Sequence, residues 1–246
     1  MSRLKTLVFH YNRNLQVEAF KESFNTHCLE KRDVLILEQC CAELEHGVFK
    51  DNVLAELDGF EYIHFCVDDI IFTQDFSLDE VMESLSSNPD AIGFALLMGR
   101  NTDYCYMHDC KQPLPEFTGT RVLKYDWRTA KEDFGYPLQI SSGVYRVSDL
   151  LPILDKKYFN SPNKLEAILS RFRGYFKKYY LLCFETSVGF CAPFNKVQTD
   201  FPKNRSMGYT PEFFEELYKN GSRIDTSAYS GIIPNGMHQE VELFLK

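Results

Sequence analysis

The sequence has no excess of basic residues, no long apolar run and no internal repeat. Its formal net charge is −8. A protein that holds a nucleic-acid backbone needs a basic surface, so we expect no nucleic-acid partner. No apolar stretch approaches the ~20 residues of a membrane-spanning helix. The chain enters strand-like sequence by Leu7, so we expect no signal peptide and a cytoplasmic location, with peripheral association at the inner membrane face left open.

The eight cysteines include no paired CxxC spacing of the kind that holds structural zinc. Those in apolar runs, such as Cys66 and Cys183, are typical of small core residues in a reduced protein. A disulfide that joins Cys105 to Cys110 is left open on sequence grounds.

Alternating patterns in the first half of the chain predict an α/β fold with a parallel sheet. Apolar runs at 6–11, 34–37 and 62–67 alternate with helical patterns at 15–28 and 42–57. The order strand, helix, strand, helix, strand is the signature of parallel strands. The 246 residues suit a single domain.

Local signals predict where further elements begin and end. Ser77 and Glu80 form a capping box, and Ser148, Ser161 and Thr210 are candidate caps of later helices. Gly221 predicts a left-handed end to the last helix. The tail, residues 237–244, alternates polar and apolar residues like an edge strand.

Two adjacent carboxylates, Asp68 and Asp69, follow the apolar run 62–67 directly. Ionised side chains are seldom fully buried without a partner, so the strand is expected to end there. In an open parallel sheet, ligands bind at the carboxyl ends of the strands. The pair is therefore a candidate site for a divalent cation that carries a diphosphate; the alternative is two solvated carboxylates in a turn.

Six short segments together resemble bacterial glycosyltransferases of the GT-A fold over nearly the whole chain. They are 9–13, 67–69, 134–137, 163–167, 195–198 and 238–240. The resemblance implies one domain, 1–246, built on a Rossmann-like, mostly parallel sheet flanked by helices. Residues 1–98 would be its nucleotide-binding half, and residues 99–246 an irregular α+β acceptor-binding half with a C-terminal tail.

The same resemblance implies a nucleotide-diphosphate sugar donor of UDP or GDP type and a Mn²⁺ or Mg²⁺ cofactor. It places the turn Tyr11-Asn12-Arg13 beside the nucleotide. Asp68 and Asp69 match an acidic metal-binding motif, with Asp69 favoured for the metal and Asp68 for the nucleotide. His238 matches a late histidine that is a metal ligand in some branches of the fold; the alternative is an ordinary surface histidine.

A catalytic base is predicted beside the aromatic segment 134–137. An inverting sugar transfer needs one carboxylate to deprotonate the acceptor hydroxyl, and Asp133 is the candidate. Glu132 is expected to be solvated. A retaining transfer would need no such base, so the stereochemical outcome is left open.

Three further residues are candidates for substrate contact. Arg205, in a loop with Lys203, has a guanidinium that suits a phosphate, although most loop arginines are solvated. Trp127 and Tyr136 are candidate platforms for an acceptor sugar, since aromatic faces stack on rings. A core position is the alternative for Trp127, the only tryptophan.

These inferences predict a metal-dependent, hexosyltransferase-like enzyme of polysaccharide biosynthesis, acting on a glycan or lipid-linked acceptor. A nucleotidyltransferase is one alternative, but the turn 11–14 lacks the glycine that such an enzyme should carry. A non-catalytic protein that binds a nucleotide-sugar or a partner is the other. It is motivated by residues 141–143, which are Ser-Ser-Gly where relatives tend to carry Asp-Gly-His. The oligomeric state is not predicted.

Overall fold

The computed structural model describes residues 3–30, 34–38, 47–197 and 206–246. The strands in these residues are β1 (Leu4–His10), β2 (Val34–Glu38), β3 (Tyr62–Val67), β4 (Ile70–Phe72), β5 (Ala91–Ala95), β6 (Tyr104–Cys105), β7 (Cys110–Lys111), β8 (Val122–Asp126), β9 (Gly143–Arg146), β10 (Tyr180–Phe184) and β11 (Gly189–Cys191). The α-helices are α1 (Asn14–His27), α2 (Val48–Leu57), α3 (Leu78–Ser87), α4 (Val147–Leu154), α5 (Pro162–Arg171) and α6 (Pro211–Lys219).

A seven-stranded sheet forms the centre, with strand order β2-β1-β3-β9-β5-β10-β8. Strands β2, β1, β3, β5 and β10 run parallel to one another, whereas β9 and β8 run antiparallel to them. Helices flank this sheet. The predicted α/β fold with a mostly parallel sheet is therefore confirmed.

Three helix starts match the predicted caps. In each, a side-chain oxygen accepts a backbone N–H from three residues further along, at 3.0–3.2 Å. These caps are Ser77, Ser161 and Thr210. Gly221 follows the last helix with a φ of 86°, as its left-handed role requires.

Two local predictions are wrong. Ser148 does not cap α4, because that helix begins at Val147, whose N–H donates to the carbonyl of Glu61. The amide of the first helical residue has no partner within the helix, and here the backbone of a neighbouring segment satisfies it. The tail is not an edge strand either: His238 forms a single bridge to Cys191, and Leu245, just after the tail, forms a single bridge to Ile224.

Aromatic side chains fill the core between α1 and β4. Phe20, Phe24, Phe72 and Phe76 are all buried there, and the rings of Phe72 and Phe76 stack with centroids 4.8 Å apart. The high aromatic share of the sequence, 15%, is thus used largely for packing. Among the described residues, no helix is long and apolar enough to cross a membrane.

A small ribbon brings the tail to the sheet. Strand β11 pairs antiparallel with β4 and places Cys191 opposite Ile70, and Cys191 also bridges to His238. Gly236 lies so close to the hairpin β6–β7 that a Cβ there would stand 2.6 Å from the carbonyl oxygen of Tyr104. The close approach needs glycine, and it holds the tail beside the end of β3.

Candidate active site

A cavity of about 710 Å³ opens at the carboxyl ends of β1 and β3. Both halves of the chain line it. From the first half come Tyr11, Arg13, Asp68 and Asp69, and from the second half Asp133, Tyr136, Glu166 and His238. The size and the position at the strand ends are those of a small-molecule site.

Strand register sets the floor of this cleft. Strands β1 and β3 pair in parallel with Phe9 opposite Val67, so the next residues, His10 and Asp68, end side by side. His10 Nδ1 lies 2.9 Å from Asp68 Oδ2, and the N–H of Tyr11 donates to the same oxygen at 3.4 Å. Asp68 is 1% exposed.

Arg13 joins the two carboxylates. Its Nη2 forms an ion pair with Asp68 Oδ1, and its Nη1 lies 3.2 Å from Asp69 Oδ2. Burial acts to lower the pKa of the Arg13 guanidinium, but the two carboxylates outweigh it and raise that pKa. Arg13 is therefore a fixed positive charge within the cleft.

The two aspartates differ in how many of their carboxylate oxygens already have partners. The Asp68 carboxylate is occupied by His10, Arg13 and a backbone amide, so it holds neighbouring groups in place. Asp69 Oδ1 is buried without a hydrogen-bond partner among the described residues, whereas Asp68 Oδ1, which also lacks a hydrogen bond, forms the ion pair with Arg13. An unsatisfied buried carboxylate oxygen is costly, which fits a missing cationic partner.

Asn12 shapes the turn that follows β1. Its φ is 49°, in the left-handed region that asparagine tolerates better than most residues. The side chain is exposed, whereas Tyr11 and Arg13 on either side line the cavity. Asn12 thus sets the turn conformation in this structure, and its predicted contact with a nucleotide stays a prediction.

Asp133 also lines the cavity, in the 3₁₀ turn Glu132–Gly135. Gln112 holds it twice: it accepts the Asp133 N–H at 3.1 Å, and its amide donates to Oδ2 at 3.4 Å. Cys105 Sγ donates to Oδ1 at 3.3 Å. Burial raises the pKa of Asp133, while His238 acts in the opposite direction.

Glu166, on α5, was not among the predicted site residues. Its Oε1 accepts the N–H of Ile140 at 3.0 Å, and burial raises its pKa to about 7. Asn163, Glu166, Ala167 and Ser170 line the cavity at the spacing of one helix face. That spacing was available in the sequence. Glu166 places a carboxylate in the cleft, where residues 141–143 supply none.

His238 reaches the cleft from the tail, as its predicted role requires. In the part of the chain that is described, the cluster of three ligand atoms lying within 4.8 Å of one another is formed by Cys105, His108 and Glu132. His238 and Asp69 are not in that cluster, so their joint binding of a metal stays a prediction.

The two predicted aromatic platforms have different surroundings. Tyr136 lines the cavity. Trp127 does not: it is 7% exposed, packs in the core and donates its indole N–H to the carbonyl of Lys178 at 2.9 Å. Trp127 as a sugar platform is therefore corrected to a core residue. Arg205 and Lys203 lie outside the described residues.

Ser142 lies beneath the cleft rather than in it. It is fully buried with a φ of 63°, and its Oγ lies 2.9 Å from His64 Nε2. Cys66 Sγ lies 3.1 Å from the same nitrogen. Burial lowers the pKa of His64 to about 3, so this imidazole is neutral and the group is a buried hydrogen-bond network that supports β3.

Part of the chain is similar in sequence to a known glycosyltransferase. No family model matches the chain. The bifunctional glycosyltransferase pgtA of Dictyostelium discoideum is 34% identical over 135 residues, which are 47% of this chain and 17% of that protein. The chain thus matches a small part of the relative's length.

Two solved structures share part of the fold. TarS 1–349 of S. aureus in complex with UDP has a TM-score of 0.47 and 13% identity, covering 76% of this chain and 59% of that one. An apo UDP-glucose pyrophosphorylase has a TM-score of 0.36 and 14% identity, covering 89% and 82%. Both scores are low, so these likenesses carry no conclusion about function.

Proposed function

We propose that this chain is a glycosyltransferase that moves a sugar from a nucleotide-diphosphate sugar of UDP or GDP type to a glycan or lipid-linked acceptor. The observation that carries the proposal is the Arg13–Asp68–Asp69 group on the floor of a cleft at the strand ends. The identity of 34% with a glycosyltransferase over 135 residues supports it.

The charges at the donor end favour a divalent cation. Arg13 contributes one positive charge and the two aspartates one negative charge each, which leaves a sum of −1. A diphosphate would be repelled by that sum unless a cation joined it. Asp69 Oδ1 is the available ligand atom, and His238 is the second proposed ligand. Bound Mn²⁺ or Mg²⁺ would stabilise the charge of the leaving nucleoside diphosphate.

Arg13 and Asp68 act on the donor in different ways. Arg13 can keep its contacts to both carboxylates and still turn its charge towards a phosphate, because a guanidinium carries five donors. Asp68 is a positioning residue: it fixes the guanidinium and His10 from below. Tyr11 lines the same wall and offers a ring to the nucleotide.

Two carboxylates are candidates for the base at the acceptor end. Asp133 is held by Gln112 and Cys105, and Glu166 faces the cavity from α5. In an inverting transfer, one of them takes the proton of the acceptor hydroxyl as that oxygen bonds to the anomeric carbon and the nucleoside diphosphate leaves. A pKa of about 7 suits Glu166 to this task at neutral pH. A retaining transfer would need neither.

One specific observation favours a second candidate, a non-catalytic protein that binds nucleotide-sugars. Ser142, within the segment that departs from the resemblance, is committed to a buried network with His64. Its hydroxyl is therefore not available to a ligand in the cleft, and the segment 141–143 carries no carboxylate. A role in polysaccharide biosynthesis, a cytoplasmic location and peripheral membrane association belong to the main proposal.

Thermal unfolding in the presence of nucleotides tests binding. The wild-type protein would be scanned with UDP, GDP and their sugar derivatives, each with and without Mn²⁺. We expect stabilisation by one nucleotide class that depends on Mn²⁺ and is lost in Asp69→Ala. The matched control is Asp58→Ala, an exposed aspartate outside the cleft. Stabilisation by no nucleotide would refute both candidate functions.

A further inference from the structure

We propose that Cys105, His108 and Glu132 form a zinc-binding site on the wall of the cleft, separate from the acidic pair. One ligand atom from each residue lies within 4.8 Å of the other two. All three residues line the cavity. This site does not depend on the proposed function, since it uses none of the residues assigned to the donor.

A hairpin and a strained turn bring the three side chains together. Strands β6 and β7 pair Cys105 with Cys110, and the turn between them carries His108. Glu132 approaches from 24 residues further along the chain, and its Oε2 contacts His108 Nδ1. Its backbone has a φ of 51°. A left-handed glutamate is an unfavourable conformation of the kind that clusters at functional sites.

The donor set indicates which metal fits. A thiolate, an imidazole and a carboxylate are the ligands of zinc, whereas Mg²⁺ and Ca²⁺ prefer oxygen alone. The charges of one thiolate and one carboxylate balance a divalent ion. Tetrahedral zinc separates its ligand atoms by roughly 3.3–3.8 Å, given its bond lengths. The ligand atoms lie within 4.8 Å of one another, and His108 Nδ1 is in direct contact with Glu132 Oε2. Zinc would therefore replace the His108–Glu132 contact, the three side chains would rotate to tetrahedral distances, and water would be the fourth ligand.

Cys105 connects the proposed zinc site to Asp133, one of the two candidate bases. The cysteine is 1% exposed, and its Sγ donates to Asp133 Oδ1 at 3.3 Å. Zinc binding would require the thiol to lose the proton that it now donates to Asp133. Because Glu132 is a proposed ligand and Asp133 follows it directly, metal binding would also fix the backbone on which Asp133 is carried.

Cobalt is the direct probe, because Co²⁺ replaces zinc and gives a thiolate charge-transfer band. Metal-free protein would be titrated with Co²⁺ under a phosphine reductant, which keeps Cys105 and Cys110 from forming a disulfide. We expect one equivalent to give the band and one equivalent of Zn²⁺ to abolish it. The matched control is Cys110→Ser, across the hairpin, which should keep the band that Cys105→Ser loses.

Further variants separate this site from the donor site and from a folding defect. His108 is 67% exposed, so His108→Ala should leave the fold intact and weaken Co²⁺ binding at least tenfold. Asp69→Ala should bind Co²⁺ with an unchanged thiolate band, even if it loses nucleotide binding. The proposal is overturned if the wild-type protein gives no thiolate band, or if the band survives Cys105→Ser.

Discussion

His10 Nδ1 lies 2.9 Å from Asp68 Oδ2 at the point where β1 and β3 end side by side. Both side chains are buried, at 6% and 1% exposure. The contact joins the two strand ends where the cleft begins, and Arg13 bridges Asp68 and Asp69 beside it. The buried Asp68 carboxylate thus holds both His10 and Arg13 in the cleft floor.

Replacing Asp68 should therefore affect stability as well as binding. In Asp68→Ala, Arg13 keeps a single carboxylate and His10 loses its partner inside the protein. We expect the free energy of unfolding in urea to fall by roughly 3 kcal/mol, as for other broken buried ion pairs. Glu18→Ala, which breaks an exposed pair with Lys21, is the control and should change little. Equal losses in the two variants would contradict this account.

Glu166 should make stability fall as pH rises. Its folded pKa is about 7, raised by burial from 4.5, so between these values the folded state binds more protons than the unfolded state. Ionisation then costs the folded protein at most about 3 kcal/mol by pH 8. Glu166→Gln removes this cost, so its stability relative to wild type should be higher at pH 8 than at pH 5.

The comparison has to be made between variants, because His64 acts in the opposite direction. Its folded pKa is lowered to about 3, so stability gained from this group rises with pH up to about 6.5. The wild-type profile mixes the two effects, and the difference from Glu166→Gln isolates one. Glu83→Gln, on the exposed face of α3, is the control. A pH-independent difference for Glu166→Gln would refute its raised pKa.

Ser142 should contribute to stability through both its hydroxyl and its backbone. Ser142→Ala removes the bond to His64 Nε2 and should cost about 1–2 kcal/mol in the free energy of unfolding. Ser142→Gly loses the same bond but relieves a φ of 63°, so it should cost less by about 1 kcal/mol. Ser86→Ala, at an exposed position of α3, serves as the control. A glycine variant no better than the alanine variant would contradict the strain.

Substitutions of Tyr136 and Trp127 should differ in their effect on the KM for the acceptor. Tyr136 lines the cavity, so Tyr136→Ala should raise the KM for the acceptor several-fold with little change in the KM for the donor. Trp127→Phe keeps a ring in the core and loses only the bond to Lys178, so both KM values should stay near wild type. An acceptor KM that rises in Trp127→Phe alone would reverse the assignment.

The sequence supported predictions that rest on local patterns. The caps at Ser77, Ser161 and Thr210 each need only the next few residues, and the end of β3 at Val67 follows from two carboxylates after an apolar run. The parallel order of β1, β2 and β3 follows from the intervening helices. Strands β1 and β3 carry the residues Arg13, Asp68 and Asp69 at or just after their carboxyl ends, where we propose that the donor binds.

Contacts between segments that are distant in the sequence could not be predicted from local patterns. Strand β9 lies antiparallel between β3 and β5. No local sequence pattern predicts this pairing. The Cys105–His108–Glu132 cluster joins a hairpin to a separate turn, so a search for paired CxxC spacings misses it. The burial of Trp127 and the exposure of Asn12 likewise depend on tertiary packing.

Release of nucleoside diphosphate from a nucleotide-sugar tests the central claim most directly. Wild-type protein, Asp69→Ala and the control Asp58→Ala would be incubated with UDP- and GDP-sugars and Mn²⁺, with a glycan or lipid-linked acceptor added in a second series, and the released UDP or GDP would be measured. We predict Mn²⁺-dependent release by wild type and Asp58→Ala, reduced at least a hundredfold in Asp69→Ala. Release that is equal in Asp69→Ala and wild type, or absent from wild type with every donor, would contradict the account.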